Sequence, residues 1–501
     1  MRFARLVAYV IATALLPACK VGPNFKQPNE PVPGHYAGSL PAGGAAPLAG
    51  EPRANTDSQS QPFWWHEFRD PELDRLVSMA TAGNLDLKAA YVRIAESRIE
   101  VLAARAQGLP SLNASASYTR EQLGLAGILK SKGVSTSSGP SSSPALAGLI
   151  SSLESPVNLY QIGFDASWEL DLFGKVRRNV EASQAQSAAA IETRNDLLVS
   201  LEAEVAETYF QLRAAQTLRQ ITLEIIDTQR QIAELTNDRR THGLASGPDV
   251  EAARGQLANL ESELPAYEQS LIASRHALAV LTGQMPEALD VELGESGALP
   301  TLPHDVPVGI PSMLARRRPD IRGSEASLHA ATAGIGVSVA SLFPDISLAG
   351  TYGLRNLGTR YLFDWQSHFY TFGPSVSIPV FHGGALVASV RLSKAQAAEA
   401  ALRYRKTVLN ALQEVEDGLS SLHEDAQRTA ALREAVAADQ RALDVDLDAY
   451  RRGVISYLSA LTIQLQMIQA RQQLAQGMLT QSTDLVKLYK ALGGGWQDAT
   501  P

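Results

Sequence analysis

Phe164–Lys175 reads FDASWELDLFGK, and 208 residues further on Phe372–Gly383 reads FGPSVSIPVFHG. Around the first, Ile162, Phe164, Ala166 and Trp168 alternate with Gln161, Gly163, Asp165, Ser167 and Glu169. In the second, Phe372, Val376, Ile378 and Val380 alternate with Thr371, Ser375 and Ser377. A period of two with one apolar face marks a β-strand. Four strands are read on this basis, at 111–119, 160–170, 345–353 and 370–380. Their length of about 9–11 residues is what a tilted strand needs to cross a bilayer.

The two stretches belong to an internal duplication. Asn84-Leu85-Asp86-Leu87 lines up with Arg318-Pro319-Asp320-Ile321, and Pro110 and Tyr118 with Pro344 and Tyr352, all at a spacing of 234. His242-Gly243-Leu244 lines up with Arg452-Gly453-Val454 at a spacing of 210. The drop places an insertion between residues 119 and 160 of the first copy. Its Ser/Gly/Pro-rich LKSKGVSTSSGPSSSP has the composition of a solvated loop. The first repeat covers 72–282 and the second 316–490. Each runs helix (72–108, 316–342), strand, loop, strand, long helix (177–241, 385–450), turn and helix (249–282, 455–490). Residues 19–71 form an N-terminal segment, 283–315 a Pro/Gly-rich equatorial linker and 491–501 a tail.

At 1.5 Å per residue, a helix of about 65 residues is roughly 98 Å long. Leu257, Leu260, Leu264, Tyr267, Leu271, Leu278 and Leu281 make a coiled-coil seam. Pro265 is expected to kink that helix. The lengths of 249–282 and 316–342 together match 177–241, and those of 72–108 and 455–490 match 385–450. Each long helix can therefore run beside two short ones stacked end to end.

The start reads as an export signal over residues 1–18. Arg2 and Arg5 precede the apolar run LVAYVIATALL, which is too short to span a bilayer. The chain's single cysteine, Cys19, follows in Leu16-Pro17-Ala18-Cys19, so no disulfide can form within the chain. The segment resembles a bacterial lipobox, which implies that Cys19 becomes the lipidated N-terminus. By resemblance to lipoprotein sorting rules, the non-acidic Lys20 implies the outer membrane.

Composition narrows the function. With 44 Lys+Arg against 52 Asp+Glu the formal charge is −8, which argues against a nucleic-acid partner. A mean hydropathy of −0.08 excludes a polytopic helical membrane protein but not a β-barrel. The 9 histidines are scattered and make no HExxH pair. No Walker A loop or GxSxG elbow occurs. No enzyme, cofactor or metal is expected. Four strands cannot close a barrel, and open edges in lipid leave backbone groups unpaired. Three copies would supply twelve strands, and a trimer is the preferred reading, with other small multiples open.

The chain resembles the outer membrane factors, the TolC-like ducts of tripartite export systems, in their NodT-type lipoprotein branch. The resemblance rests on Cys19-Lys20-Val21-Gly22-Pro23 with Pro28, and on Trp64-Trp65, Phe68, Asp70-Pro71 and Leu73. Trp168–Gly174 (WELDLFG), Arg317–Ile321 (RRPDI) and Leu488–Trp496 (LYKALGGGW) complete it. It implies a mixed fold of α-helices and transmembrane β-strands: a homotrimeric 12-stranded β-barrel continuous with a long α-helical coiled-coil barrel. It also implies a periplasmic membrane fusion (adaptor) protein and an inner-membrane pump, often of the resistance-nodulation-division class, as partners.

On this resemblance the turns at 240–249 and 451–457 form the periplasmic tip. Gly243 and Gly453 allow tight turns, and with Leu244 and Val454 would meet the adaptor. Asp249 matches the family's inward acidic gate position and Tyr450 its gating tyrosine. Arg240, Arg451 and Arg452 could pair with Asp249 across subunits, or Asp249 could simply stabilise a helix start. Ser459, Thr462 and Ile455 stand where other members carry charges, so fewer ionic contacts hold this gate. Trp168 and Phe173 are expected at the periplasmic membrane boundary. Tyr361, Phe363, Trp365, Phe369 and Tyr370 are expected near the outer one. The function expected is a passive exit duct for small molecules, with a cation-preferring lumen. A type I protein secretion duct and a lipid-anchored periplasmic scaffold are the alternatives.

Overall fold

The computed structural model describes residues 20–29, 31–36, 53–55, 62–122, 156–295, 297–303 and 305–496. In chain order the elements are β1 (Arg53–Asn55), α1 (Pro71–Gly83), α2 (Leu85–Ala106), β2 (Ser111–Glu121), β3 (Val157–Leu170) and α3 (Lys175–Thr241). There follow α4 (Gly247–Leu281), β4 (Asp305–Pro307), α5 (Pro311–Arg317), α6 (Pro319–Ala340), β5 (Asp345–Asn356), β6 (His368–Ser377), α7 (Ala385–Arg451) and α8 (Tyr457–Ala491). The chain divides into two compact units. One comprises Met1–Lys26, Arg98–Ala185 and His329–Ala398; the other comprises Gln27–Ser97, Gln186–Leu328 and Glu399–Pro501.

The first unit contains an antiparallel sheet of order β2-β3-β5-β6. Its register puts like with like. Ala114 lies opposite Phe164, Phe164 opposite Tyr352, and Tyr352 opposite Tyr370. Residues directly opposite share a face. One face therefore carries Leu112, Ile162, Phe164, Trp168, Leu348, Tyr352, Phe372 and Val376. The other carries Asn113, Gln161, Asp165, Glu169, Thr351, Arg355 and Ser375. The polar face is knitted by side chains. Asp165 accepts from the hydroxyls of Ser115 (2.8 Å) and Thr351 (3.0 Å), and Arg355 Nη2 donates to Gln161 (2.8 Å). The apolar face is bare: Phe164 is 52% exposed and Phe372 72%. Among the described residues β2 and β6 each have an unpaired edge. Among the described residues no helix is long and apolar enough to cross a membrane.

β6 ends at Ser377 rather than at 380. Pro379 cannot donate to a ladder, so Ile378 and Val380 lie beyond the sheet. β5 and β3 extend past the expected ends, to Asn356 and back to Val157.

The second unit is helical. Its core gathers the aromatic residues near the start of α1. Trp64 stacks on Tyr489 (5.2 Å between ring centroids) and Phe68 packs on Phe210 (5.0 Å). All four are buried; burying each such side chain contributes about 1.5–3 kcal/mol. Asp70 caps α1 by accepting from the N–H groups of Glu72 (2.9 Å) and Leu73 (3.3 Å), with Pro71 in the first turn. Its other oxygen accepts from the Tyr209 hydroxyl (2.7 Å). Along α3, Glu192 pairs with Arg322 of α6 (2.6 Å), then Arg219 with Glu268 and Arg230 with Glu261 (3.2 Å) of α4. The long helix thus runs beside α6 and α4 in succession, as the lengths required.

Two helices expected to be continuous are broken. The segment 72–108 divides into α1 and α2 at Asn84, and 316–342 into α5 and α6 at Arg318. These are equivalent positions in the two repeats. Arg318 is extended (ψ 122°) because it precedes Pro319. Asn84 (ψ 131°) accepts from Leu87 N–H (3.0 Å) and so caps α2. α4 continues unbroken through Pro265. The linker 283–315 is not featureless. It holds a 3-10 turn at Pro286–Leu289, β4 paired in parallel with β1, and the start of α5.

Candidate functional site: the two helix turns

Both long helices end in the same way. Gly243 N–H donates to Arg240 C=O (2.9 Å) and Leu244 N–H to Arg239 C=O (2.7 Å). Gly453 N–H donates to Tyr450 C=O (2.9 Å) and Val454 N–H to Ala449 C=O (2.9 Å). Each is a Schellman cap with glycine in the left-handed region, at φ 74° and 78°. A Cβ on Gly243 would meet nothing within 4 Å. Conformation, not crowding, calls for glycine there. Leu244 and Val454, the next residues, are each 74% exposed. The turns hold an apolar side chain out into solvent, where burial within the protomer would have been the stable choice.

The next helices start differently. Ser246 and Asp249 form a capping box: Asp249 N–H donates to Ser246 Oγ (3.3 Å), and Asp249 Oδ2 accepts from Ser246 N–H (3.0 Å) and Oγ (2.7 Å). At the second turn Ser459 N–H donates to Ser456 Oγ (3.3 Å), with no carboxylate to complete the box.

Tyr450 is buried among Ile232, Ala253, Tyr457 and Ala460. Its hydroxyl lies 2.7 Å from Thr236 Oγ1. Thr236 donates its only hydroxyl proton to Ile232 C=O (2.7 Å), so Tyr450 is the donor in the bond between them. The Arg239 guanidinium lies over the Tyr450 ring, 4.5 Å from its centroid, and donates to Arg451 C=O (3.3 Å). Tyr457 accepts from Gln229 Nε2 (3.1 Å), which also donates to Ala253 C=O (3.0 Å). Burial pushes the Tyr457 phenol up from its ordinary value, more than the Gln229 bond lowers it. Two side-chain bonds thus tie α7 and α8 to α3 near the turns.

The other expected site residues lie as follows. Arg452 pairs with Asp448 one turn back (2.7 Å), both exposed. Arg240 is exposed and supplies a carbonyl to its own cap. Ile455 packs on the tyrosine cluster, while Ser459 and Thr462 are exposed. Trp168 donates to Gly108 C=O (2.9 Å), and Phe173 stacks on Phe343 (4.8 Å). Tyr361, Trp365 and Tyr370 are exposed around the β5–β6 connection, Trp365 stacked on His368. Cys19, the segment 1–18 and most of the loop 120–159 lie outside the described residues.

Thr236, Arg239, Gln229 and Tyr457 escaped the sequence reading. A signal exists: Thr222, Gln229 and Thr236 are polar residues spaced seven apart on one face of α3, and all three are buried. The tyrosine partners of Gln229 and Thr236 are more than 200 residues away, which no local pattern shows.

A family model described as outer membrane efflux protein matches residues 76–284 and 310–494, and the chain belongs to that family. It is 29% identical to the antibiotic efflux pump outer membrane protein ArpC of Pseudomonas putida, over 99% of this chain and 96% of that protein. It is also 29% identical to nodulation protein T of Rhizobium leguminosarum bv. viciae, over 98% and 94% respectively. A solved structure of the outer-membrane channel OprN is 31% identical and superposes with a TM-score of 0.82, covering 96% of this chain and all of that one.

Proposed function

We propose that three copies of this outer membrane efflux channel close one duct. Twelve strands form its barrel in the outer membrane, and the helices extend it into the periplasm towards an adaptor and a resistance-nodulation-division pump. The observation that carries this reading is the sheet. Among the described residues it has an exposed apolar face and two unpaired edges, which lipid and neighbouring copies would satisfy. The chain conducts passively, and the pump supplies the energy. The cargo is small molecules, as the name of the Pseudomonas relative, an antibiotic efflux component, suggests. Lipid on Cys19 adds a weak anchor to the one made by the barrel.

Gating fits the turns. Asp249, Tyr450, Arg240, Arg451 and Arg452 surround the closed tip, and Gly243, Leu244, Gly453 and Val454 receive the adaptor. Each neutral hydrogen bond such as Tyr450–Thr236 is worth about 1 kcal/mol net. Adaptor contact with the exposed Leu244 and Val454 can offset that. The aromatic side chains of Trp168, Phe173, Tyr361, Trp365 and Tyr370 sit at the headgroup levels. Asp165 on the polar face favours cations in the lumen. The test is to express the chain in a strain lacking its own exit duct, together with a matching adaptor and pump. Restored antibiotic resistance and ion conductance of the purified protein in bilayers support the reading. Conductance without resistance to any small molecule would favour a protein-secretion duct.

A further inference from the structure

Residues 20–25 lie in a groove made for them. Arg178, near the start of α3, is fully buried. Its guanidinium donates to Val21 C=O (3.0 Å), Gly22 C=O (3.2 Å), Asn24 Oδ1 (2.8 Å) and Glu181 Oε2 (2.9 Å). Glu181 also takes Lys20 Nζ and His329 Nε2 (3.1 Å). Phe25 stacks flat on His329, 4.4 Å between centroids and 13° between planes. Val21 N–H donates to Phe173 C=O (3.2 Å). The walls are cut away where the segment passes: a Cβ on Gly22 would stand 2.5 Å from Gly336 Cα, and a Cβ on Gly174 3.1 Å from Lys20 Cα.

A buried guanidinium is costly without partners. Here most of its partners belong to the N-terminal segment, and two of them are backbone carbonyls. The segment is therefore an integral strap of the sheet unit, not a loose tether. Burial raises the Glu181 pKa, but its bonds to Lys20, His329 and Arg178 outweigh that and hold it at about 2, so its carboxylate stays charged at ordinary pH. Lys20 rests against Gly174, next to Phe173, whose ring stacks on Phe343. Cys19, which precedes Lys20 in the sequence, lies outside the described residues.

We infer that the Arg178 groove docks the chain's own N-terminal strap so that lipid on Cys19 enters the bilayer at a fixed point at the base of β3. This rests on the lipoprotein reading of Cys19. An undocked strap, held next at the buried Tyr36, would let the lipid wander over about 20 Å. Docking turns lipid insertion and sheet insertion into one event by raising the effective concentration of each for the other.

The test compares wild type, Arg178→Met and the strap variant Asn24→Ala/Phe25→Ala in the full chain, each with and without Cys19→Ala behind an ordinary signal peptide. The readouts are acylation by mass, trypsin cleavage after Lys20 and Lys26, and the heat-modifiable assembled form in outer membranes. Arg178→Met and the strap variant should be acylated fully, cut about tenfold faster, and assembled severalfold less. Adding Cys19→Ala should then cost nothing more, because both lesions strike one event. A strap that stays protected in Arg178→Met, losses that multiply with Cys19→Ala, or normal assembly of the strap variant would each overturn the inference. A wild type that is protected but not acylated would overturn the lipoprotein reading and leave the docking intact.

Discussion

The two repeats share their punctuation and differ in their side-chain chemistry. In each, the break between the short helices is tied to the end of the returning helix. In the first, Asn84 Nδ2 donates to Leu281 C=O (3.0 Å). In the second, Arg318 Nη1 donates to Ala491 C=O (3.0 Å) and also reaches Glu414 (2.6 Å), while Nε and Nη2 fork onto Asp320 (3.0 and 2.7 Å). Each returning helix then closes in a Schellman cap, at Gly283 and Gly493. The tie is one neutral amide in the first repeat and, in the second, a buried guanidinium forked onto partly exposed carboxylates. Backbone geometry sets where the helices stop. The side chains set how strongly the stops hold and what they respond to.

The strongest way to break that comparison is to cut both ties. Arg318→Met takes the cation away from Asp320 and from the exposed Glu414 and should cost about 2–3 kcal/mol. Asn84→Ala loses a cap and one hydrogen bond and should cost about 1–2 kcal/mol. Denaturant unfolding of the detergent-solubilised protein would compare them. Equal losses would mean the two ties are equivalent after all.

Tyr450→Phe removes one buried bond and should cost about 1 kcal/mol. In bilayers the variant should also open more often than wild type, because the α7–α3 tie at Thr236 is gone. Single-channel recording of Tyr450→Phe beside Thr236→Val checks it, and the two should match. Ser459→Asp should give the second turn the capping box that the first already has, stabilising it by about 0.5–1 kcal/mol. Asp249→Ser should lose the same amount, and thermal melts would show whether the two turns are interchangeable.

Two carboxyl groups on the paired long helices should respond to acid with opposite signs. On α3, Glu181 is held at about 2, so the stability it contributes is full above 4.5 and drains as pH falls from there towards 2. On α7, burial and the charge of Asp484, only partly offset by Arg428 and Lys487, push Asp425 up to about 6. A carboxyl raised in the folded state favours folding below its ordinary value of 3.8 and loses that contribution as pH rises to 6. Melting at pH 7 and pH 5 should therefore show a small gain at pH 5 that Asp425→Asn abolishes.

The sheet was legible because a period of two needs no partner to be seen. Phe164 and Phe372 sit on one face for the same reason in the strand and in the sequence. The turns were legible because only glycine accepts φ near +75°. The helix break at Asn84 was hidden, since a cap formed by a mid-run asparagine looks like an exposed helix residue. The break at Arg318 is marked only by Pro319, which disfavours the helical conformation in the residue before it. Resemblance picked out Tyr450, but its bond to Thr236 spans 214 residues and could not be read locally. The Arg178 strap was invisible for the same reason: its partners in the strap lie more than 150 residues away, and two of them are backbone carbonyls, which leave no mark on composition.

The measurement that bears most directly on the whole account is the native mass of the smallest species that conducts, extracted unheated from outer membranes. The described residues of one chain supply a four-stranded sheet with two open edges, so the conducting particle should weigh three mature chains. A conducting single chain, or a pore of two or four, would contradict it.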